Sequence, residues 1–239
     1  MNKRNNLNTE KTVGIAIFSA LAFVVAFVCN VIPPVAGFLS LDVKDAVIAI
    51  ASFIYGPISA ALISFIAALI EWLTFSTTGW YGFVMNFASS AVFSLTASLI
   101  YKRRRTINGA LISFFAAVIA TTGVMLILNR FVTPVYLFDY IKVMPADAAK
   151  EYVIGLLPTV LLPFNFAKAL LNSAVAMLLY KPLSRALKKA KFALAERRGA
   201  VSEAEKSSDP AAFNKNTVLI LAVGGAALVA AVVILLIIS

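Results

Sequence analysis

Apolar residues run along the chain in long blocks divided by short polar or basic stretches, with no sustained two-residue alternation. Blocks near the roughly 20 residues that a helix needs to cross about 30 Å of hydrocarbon recur about six or seven times, which predicts an all-α membrane protein. Short alternating segments, the mark of a β-barrel, are missing. The first span covers 13–32, after Thr12 and the polar, basic start with Lys3, Arg4 and Lys11. It is too long and lacks the cleavage site for a secretory signal peptide. Asn30-Val31-Ile32-Pro33-Pro34 ends it, and a loop over 35–45 carries Asp42, Lys44 and Asp45.

The next block, 46–70, is broken by Gly56-Pro57, and the charges decide how it crosses. Two crossings put the basic N-terminus, Lys102-Arg103-Arg104-Arg105 and the tail from Lys181 on one side, as the positive-inside rule asks. A single crossing would split them. The second span is then short, at about 42–55, which would place Asp42 and Asp45 at a wet outer vestibule. The third span covers 58–75 with Glu71 and Trp72 near its outer end, followed by an aromatic outer turn through Trp80 and Tyr81. The fourth and fifth cover 83–101 and 109–129, and 132–150 reads as the longest outer loop. The sixth, 152–180, is distorted early by Pro158 and Pro163. Residues 181–198 are basic, either an interfacial helix or a solvated anchor, and 217–238 form a further span with Gly224-Gly225 as a contact point. The organisation expected is a six-helix membrane unit over 1–190, a basic and polar linker over 191–216, and an additional C-terminal transmembrane helix within 217–239.

Composition narrows the chemistry. Of 239 residues 61% are hydrophobic and 13% charged, against an apolar share of about 45–50% in soluble domains. There is no histidine and Cys29 is the single cysteine, so Cys/His metal sites, Ser-His catalysis and disulfides lack their parts. The net charge of +10 flanks the spans as a topology signal and does not point to nucleic acid. No G-x-x-x-x-G-K-[ST] loop is present, so an ATP-driven step needs another subunit.

The exceptional residue is Lys168, a charge inside the apolar sixth span. A charge at bilayer depth costs about 2.5–3.5 kcal/mol on insertion scales and is kept where it meets a cavity or a partner. Asn165, Lys168 and Asn172 share one helix face. Lys168 lies roughly twelve residues from the basic end, too deep to snorkel easily at about 1.5 Å per residue. Two readings follow: a ligand site, or an ion pair with a carboxylate inside the bundle. Asn86, Ser89 and Ser90 group on one side of the fourth span, and Ala16 and Ala20, like Ala22 and Ala26, have the spacing that lets helices approach closely.

Leu128-Asn129-Arg130-Phe131-Val132-Thr133-Pro134-Val135-Tyr136, followed by Leu162-Pro163-Phe164-Asn165-Phe166-Ala167-Lys168, resembles the paired signature of riboflavin-specific S components of energy-coupling factor (ECF) transporters. Phe38-Leu39-x-x-Asp42-x-x-Asp45, Gly56-Pro57 and Asn86-Phe87 support the likeness, which covers 13–185. The sequence departs from that pattern at Ala67-Ala68, where such proteins often carry Lys-Asn, and at the neutral Met85 before Asn86. The resemblance implies a six-helix, non-enzymatic S unit in the cell membrane, N-terminus cytoplasmic, that binds riboflavin from outside as its transported ligand and needs no cofactor. Asn129, Asn165 and Lys168 would bind the flavin, with Asn86, Asp42 and Asn172 as further candidates. Ala16 and Ala20 would dock on a membrane scaffold subunit driven by two cytoplasmic ATPases. The rivals are an S component for another vitamin or cofactor precursor and, more remotely, a membrane enzyme using Asp42 and Asp45.

Overall fold

The computed structural model describes residues 3–197 and 215–238, and the greater part of the expected linker lies outside the described residues. The helices in chain order are α1 (Lys3–Cys29), α2 (Lys44–Tyr55), α3 (Pro57–Thr74), α4 (Gly79–Arg103), α5 (Ile107–Val135), α6 (Ala146–Leu156), α7 (Leu162–Arg197) and α8 (Lys215–Ile238). Among the described residues, five stretches are long and apolar enough to cross a membrane: Thr9–Cys29, Pro57–Thr74, Gly79–Arg103, Ile107–Tyr140 and Ala146–Tyr180. α2 has 12 residues, about 18 Å at 1.5 Å per residue, which is less than a bilayer core.

Several expected boundaries move. α1 begins within the polar N-terminus, because the start of lipid contact need not be the start of a helix. The expected loop 132–150 is mostly helical. α5 runs through Pro134 to Val135 and continues as a π-turn, Tyr136–Tyr140, and α6 begins at Ala146. A second π-turn, Leu157–Leu161, joins α6 to α7 at Pro158 and just before Pro163. Proline removes a backbone donor and crowds the preceding turn, so a wider turn restores the hydrogen bonding. Leu162 N–H accordingly donates to Leu157 O. The backbone of the basic stretch after Lys181 stays helical to Arg197.

Gly56 makes the α2–α3 hairpin. Its φ of +93° is one that side-chain-bearing residues avoid, its N–H donates to Ser52 O at 2.8 Å, and Pro57 opens α3. This turn shares a cavity with Lys11, Lys102 and Arg105, so it lies at the basic end of the bundle, as the charge pattern required.

Packing is arranged for lipid outside. Ala46, Ala49, Ala67, Ala97, Ala117, Ala167 and Ala174 are wholly buried, whereas Ile17, Leu73, Phe115 and Phe131 are among the exposed large side chains. Without a hydrophobic drive between helices in lipid, close approach over small residues supplies the packing. α1 packs on α2 and α3 through Phe18 and Ala22, with Ala26 also buried, leaving Ala16 and Ala20 on its outer face. α8 packs on α7, where a Cβ at Gly224 would come within 3.2 Å of Leu178, while Gly225 faces open space. Only the first glycine of the expected pair makes a contact.

Candidate ligand-binding site

At the end opposite Lys102–Arg105, the loop before α2 and the ends of α4, α5 and α7 surround a cavity of about 680 Å³ including its open mouth. Phe38, Tyr81, Tyr136 and Phe164 provide aromatic wall, and Asn86, Asn129, Thr133, Asn165 and Lys168 bring polar atoms to it. Of the residues expected to bind ligand, Asn86, Asn129, Asn165 and Lys168 meet here. Asp42 and Asn172 do not line it.

The helix geometry explains the convergence. Asn129 sits on the last regular turns of α5, where Nδ2 donates to Met125 O at 2.7 Å and Oδ1 accepts from Thr133 Oγ1 at 2.9 Å. Asn165 follows the π-turn and donates to Leu161 O at 2.7 Å, so its side chain is held against the distorted backbone. Each amide uses one of its N–H bonds in this way, and the Asn165 carbonyl keeps its acceptor capacity for the cavity.

Lys168 has a partner in the bundle. Its Nζ lies 2.7 Å from Asp42 Oδ2 and donates to Ser40 O at 3.0 Å, so the ion-pair reading is realised together with exposure to the cavity. An ammonium has three donors, and these contacts occupy two. The pair opens a buried chain of charges. Lys44 Nζ is 3.7 Å from Asp42 Oδ2 and 2.7 Å from Glu71 Oε2, and that same Glu71 oxygen accepts from Asn86 Nδ2 at 3.1 Å. Asp45 accepts from Ser90 Oγ. The expected wet vestibule is therefore a nearly dry network: Asp42, Lys44, Asp45 and Glu71 are each 5% exposed or less. Glu71, expected near a membrane face, is inside the bundle because α3 turns it toward Lys44. Asp42 and Asp45, which an enzymatic reading would use, are both already engaged.

Asn172 is structural. Its Oδ1 accepts from Ala46 N at 2.9 Å, and its Nδ2 donates to Asp42 O at 2.9 Å and Lys168 O at 3.0 Å. Val43, at the start of α2, offers no side-chain cap, so an amide from α7 ties down that helix end. The shared face of Asn165, Lys168 and Asn172 is real, but it divides between cavity and packing one turn apart.

Sequence reasoning missed Tyr81 as a wall. Its hydroxyl donates to Asp139 Oδ2 at 2.9 Å and its ring meets Tyr136 edge-on at 5.9 Å, so it is buried, while Trp80, stacked on it, stays exposed. Tyr136 and Phe38 stood in the quoted motifs, and Met85 was noted only as a departure from them; nothing local marked Tyr81 or Met125 as cavity residues.

The family model of the ECF transporter substrate-specific component matches residues 10–180. A riboflavin transporter of Staphylococcus aureus (strain TCH60), RibU, is 33% identical over 195 residues, which are 79% of this chain and 100% of that protein. Riboflavin transporter FmnP of Bacillus subtilis (strain 168) is 25% identical, covering 73% of this chain and 92% of its own length. A solved structure of the S component of a bacterial ECF transporter superposes with a TM-score of 0.61 at 31% identity, covering 76% of this chain and 99% of the other.

Proposed function

The chain belongs to the substrate-specific components of ECF transporters, membrane proteins that are not enzymes, and from that premise we propose that its cavity binds riboflavin. The observation that carries the proposal is the meeting of Asn129, Asn165 and Lys168 in one aromatic-walled cavity. A flavin has a flat, apolar-faced ring system, a polar ring edge and a hydroxylated tail. The ring suits Tyr81, Tyr136 and Phe164, and the amides and the third Lys168 donor suit the polar groups. The names of the riboflavin-transporting relatives agree with it.

The proposed topology follows the charges. The N-terminus and Lys102–Arg105 lie in the cytoplasm, the cavity opens outside, and the chain crosses six times in the ligand-binding unit and once more through α8. In α2 the short helix and its preceding loop together make one crossing. Ala16 and Ala20, exposed on α1, are the proposed contact with a scaffold subunit that two ATPases drive.

Purified protein, stripped of ligand, is titrated with riboflavin while flavin fluorescence is followed. Saturable quenching at one equivalent is expected, because aromatic walls close on the ring. Failure to saturate with riboflavin, with saturation by another vitamin in the same assay, would reassign the substrate and retain the family.

A further inference from the structure

The cavity at the opposite, basic end has no role in binding from outside. It lies between the first turns of α1, the α2–α3 hairpin and the end of α4, with about 760 Å³ including its mouth. Lys11 from α1, Lys102 from α4 and Arg105 from the following turn line it, and no carboxylate does. No ion pair joins any of the three to an acidic group among the described residues. Three cations from separate segments converge there, and no described carboxylate lines the space between them.

The walls are built by packing. Gly14 on α1 leaves room for the Tyr55 ring, which a Cβ there would strike, and Phe18 meets that ring edge-on at 6.0 Å. Tyr101 stacks on Phe53 with ring centroids 4.0 Å apart and hydrogen-bonds Tyr180 through its hydroxyl. These contacts keep two aromatic rings and the cations around a space that stays open. The start of α3 at Gly56-Pro57 also borders it, adding the positive end of a helix dipole without carrying the argument alone.

We propose that this cavity binds a phosphate group carried by an anionic membrane lipid, the cations taking the phosphodiester and the apolar wall beside Phe53 and Ile58 taking the start of the acyl chains. The basic end is the cytoplasmic end on the positive-inside pattern, where anionic headgroups attract basic residues. Such a lipid supplies a counter-charge that no carboxylate among the described residues gives these three cations.

The test uses the full chain in phosphatidylcholine nanodiscs with and without phosphatidylglycerol, and in detergent with phosphatidylglycerol or inorganic phosphate added. Retained lipid is counted by native mass spectrometry and melting is followed in parallel. Lys102→Gln/Arg105→Gln is compared with Arg103→Gln/Arg104→Gln, which removes the same charge from exposed positions beside the cavity but not lining it. Two cations each contributing near an anionic surface predict a loss of phosphatidylglycerol retention of roughly tenfold or more for the first pair. The control pair, which does not line the cavity, should lose clearly less. Stabilisation by phosphatidylglycerol alone assigns the lipid; stabilisation by inorganic phosphate alone shows a soluble phosphate site and overturns the lipid assignment. Equal losses in the two pairs, or no preference over phosphatidylcholine, overturn the site itself. Riboflavin binding at the far end reports that each variant is folded.

Discussion

Replacing Lys168 by alanine should damage both ligand binding and folding, and a second substitution should separate the two. The ammonium lies 2.7 Å from Asp42 Oδ2, and its side chain is 10% exposed against 7% for the aspartate. Removing one partner of a buried pair costs about 3–5 kcal/mol because the other charge is stranded. The lower end applies here, since Lys44 Nζ remains 3.7 Å from the same oxygen and Lys44 N–H donates to Asp42 Oδ1 at 3.2 Å. Asp42→Asn in the Lys168→Ala background removes the stranded charge while keeping an oxygen for that N–H, so most of the stability should return. Affinity should not return with it. A hydrogen bond to a charged group contributes about 1.5–3 kcal/mol, so losing the third donor weakens riboflavin binding by roughly ten- to a hundredfold. Thermal melts without ligand and fluorescence titrations of the parent, both single variants and the double variant give the complete cycle. Recovery of affinity in the double variant would show that Lys168 acts only by neutralising Asp42. A Lys168→Ala protein that melts like its parent would refute the pair.

Asn172→Leu should lower stability by about 2–4 kcal/mol, since it leaves the Ala46 N–H and the Asp42 carbonyl without partners, and a melt in detergent reads this directly. Ala16→Trp should leave riboflavin titration unchanged and abolish uptake in cells, whereas Ala22→Trp, at a fully buried position, should reduce the yield of folded protein. Equal damage to binding and uptake by Ala16→Trp would make that alanine ordinary core. A cysteine at position 104 should react with a membrane-impermeant reagent only after the cells are opened, and one at position 143 in intact cells; the reverse pattern would invert the proposed topology.

Where local chemistry repeats along the chain, the sequence was readable. Apolar blocks located the long helices, Gly56-Pro57 located the hairpin, and the basic clusters correctly grouped the ends of helices that lie together. The spacing of Asn165 and Lys168 put both at one cavity, and Asn129 came with the matching signature. What stayed hidden was pairing across long separations. Lys44 reads as a loop charge and Glu71 as an interfacial one, and only the packing of α2 against α3 shows that they neutralise each other. Asn172 could not be told from Asn165 by pattern, because the difference is the backbone of α2 lying against it. The helical character of much of 132–150 was obscured by its charges and by Pro134, which α5 accommodates just before the π-turn Tyr136–Tyr140.

The dependence of α2 on Asn172 and Lys168 bears on how the protein is made. When α1 and α2 have left the ribosome, α2 is too short to span alone, and it carries Lys44, of whose partners only Asp42 is yet made, and Asp45, whose partner Ser90 is not. Glu71 can answer Lys44 as soon as α3 follows, but Ser90 arrives with α4, and the amide that holds the α2 start arrives 126 residues after Ala46. Stable seating of α2 therefore waits for α7. The cavity is therefore completed only by the helix that carries its own lysine, the last of those that line it.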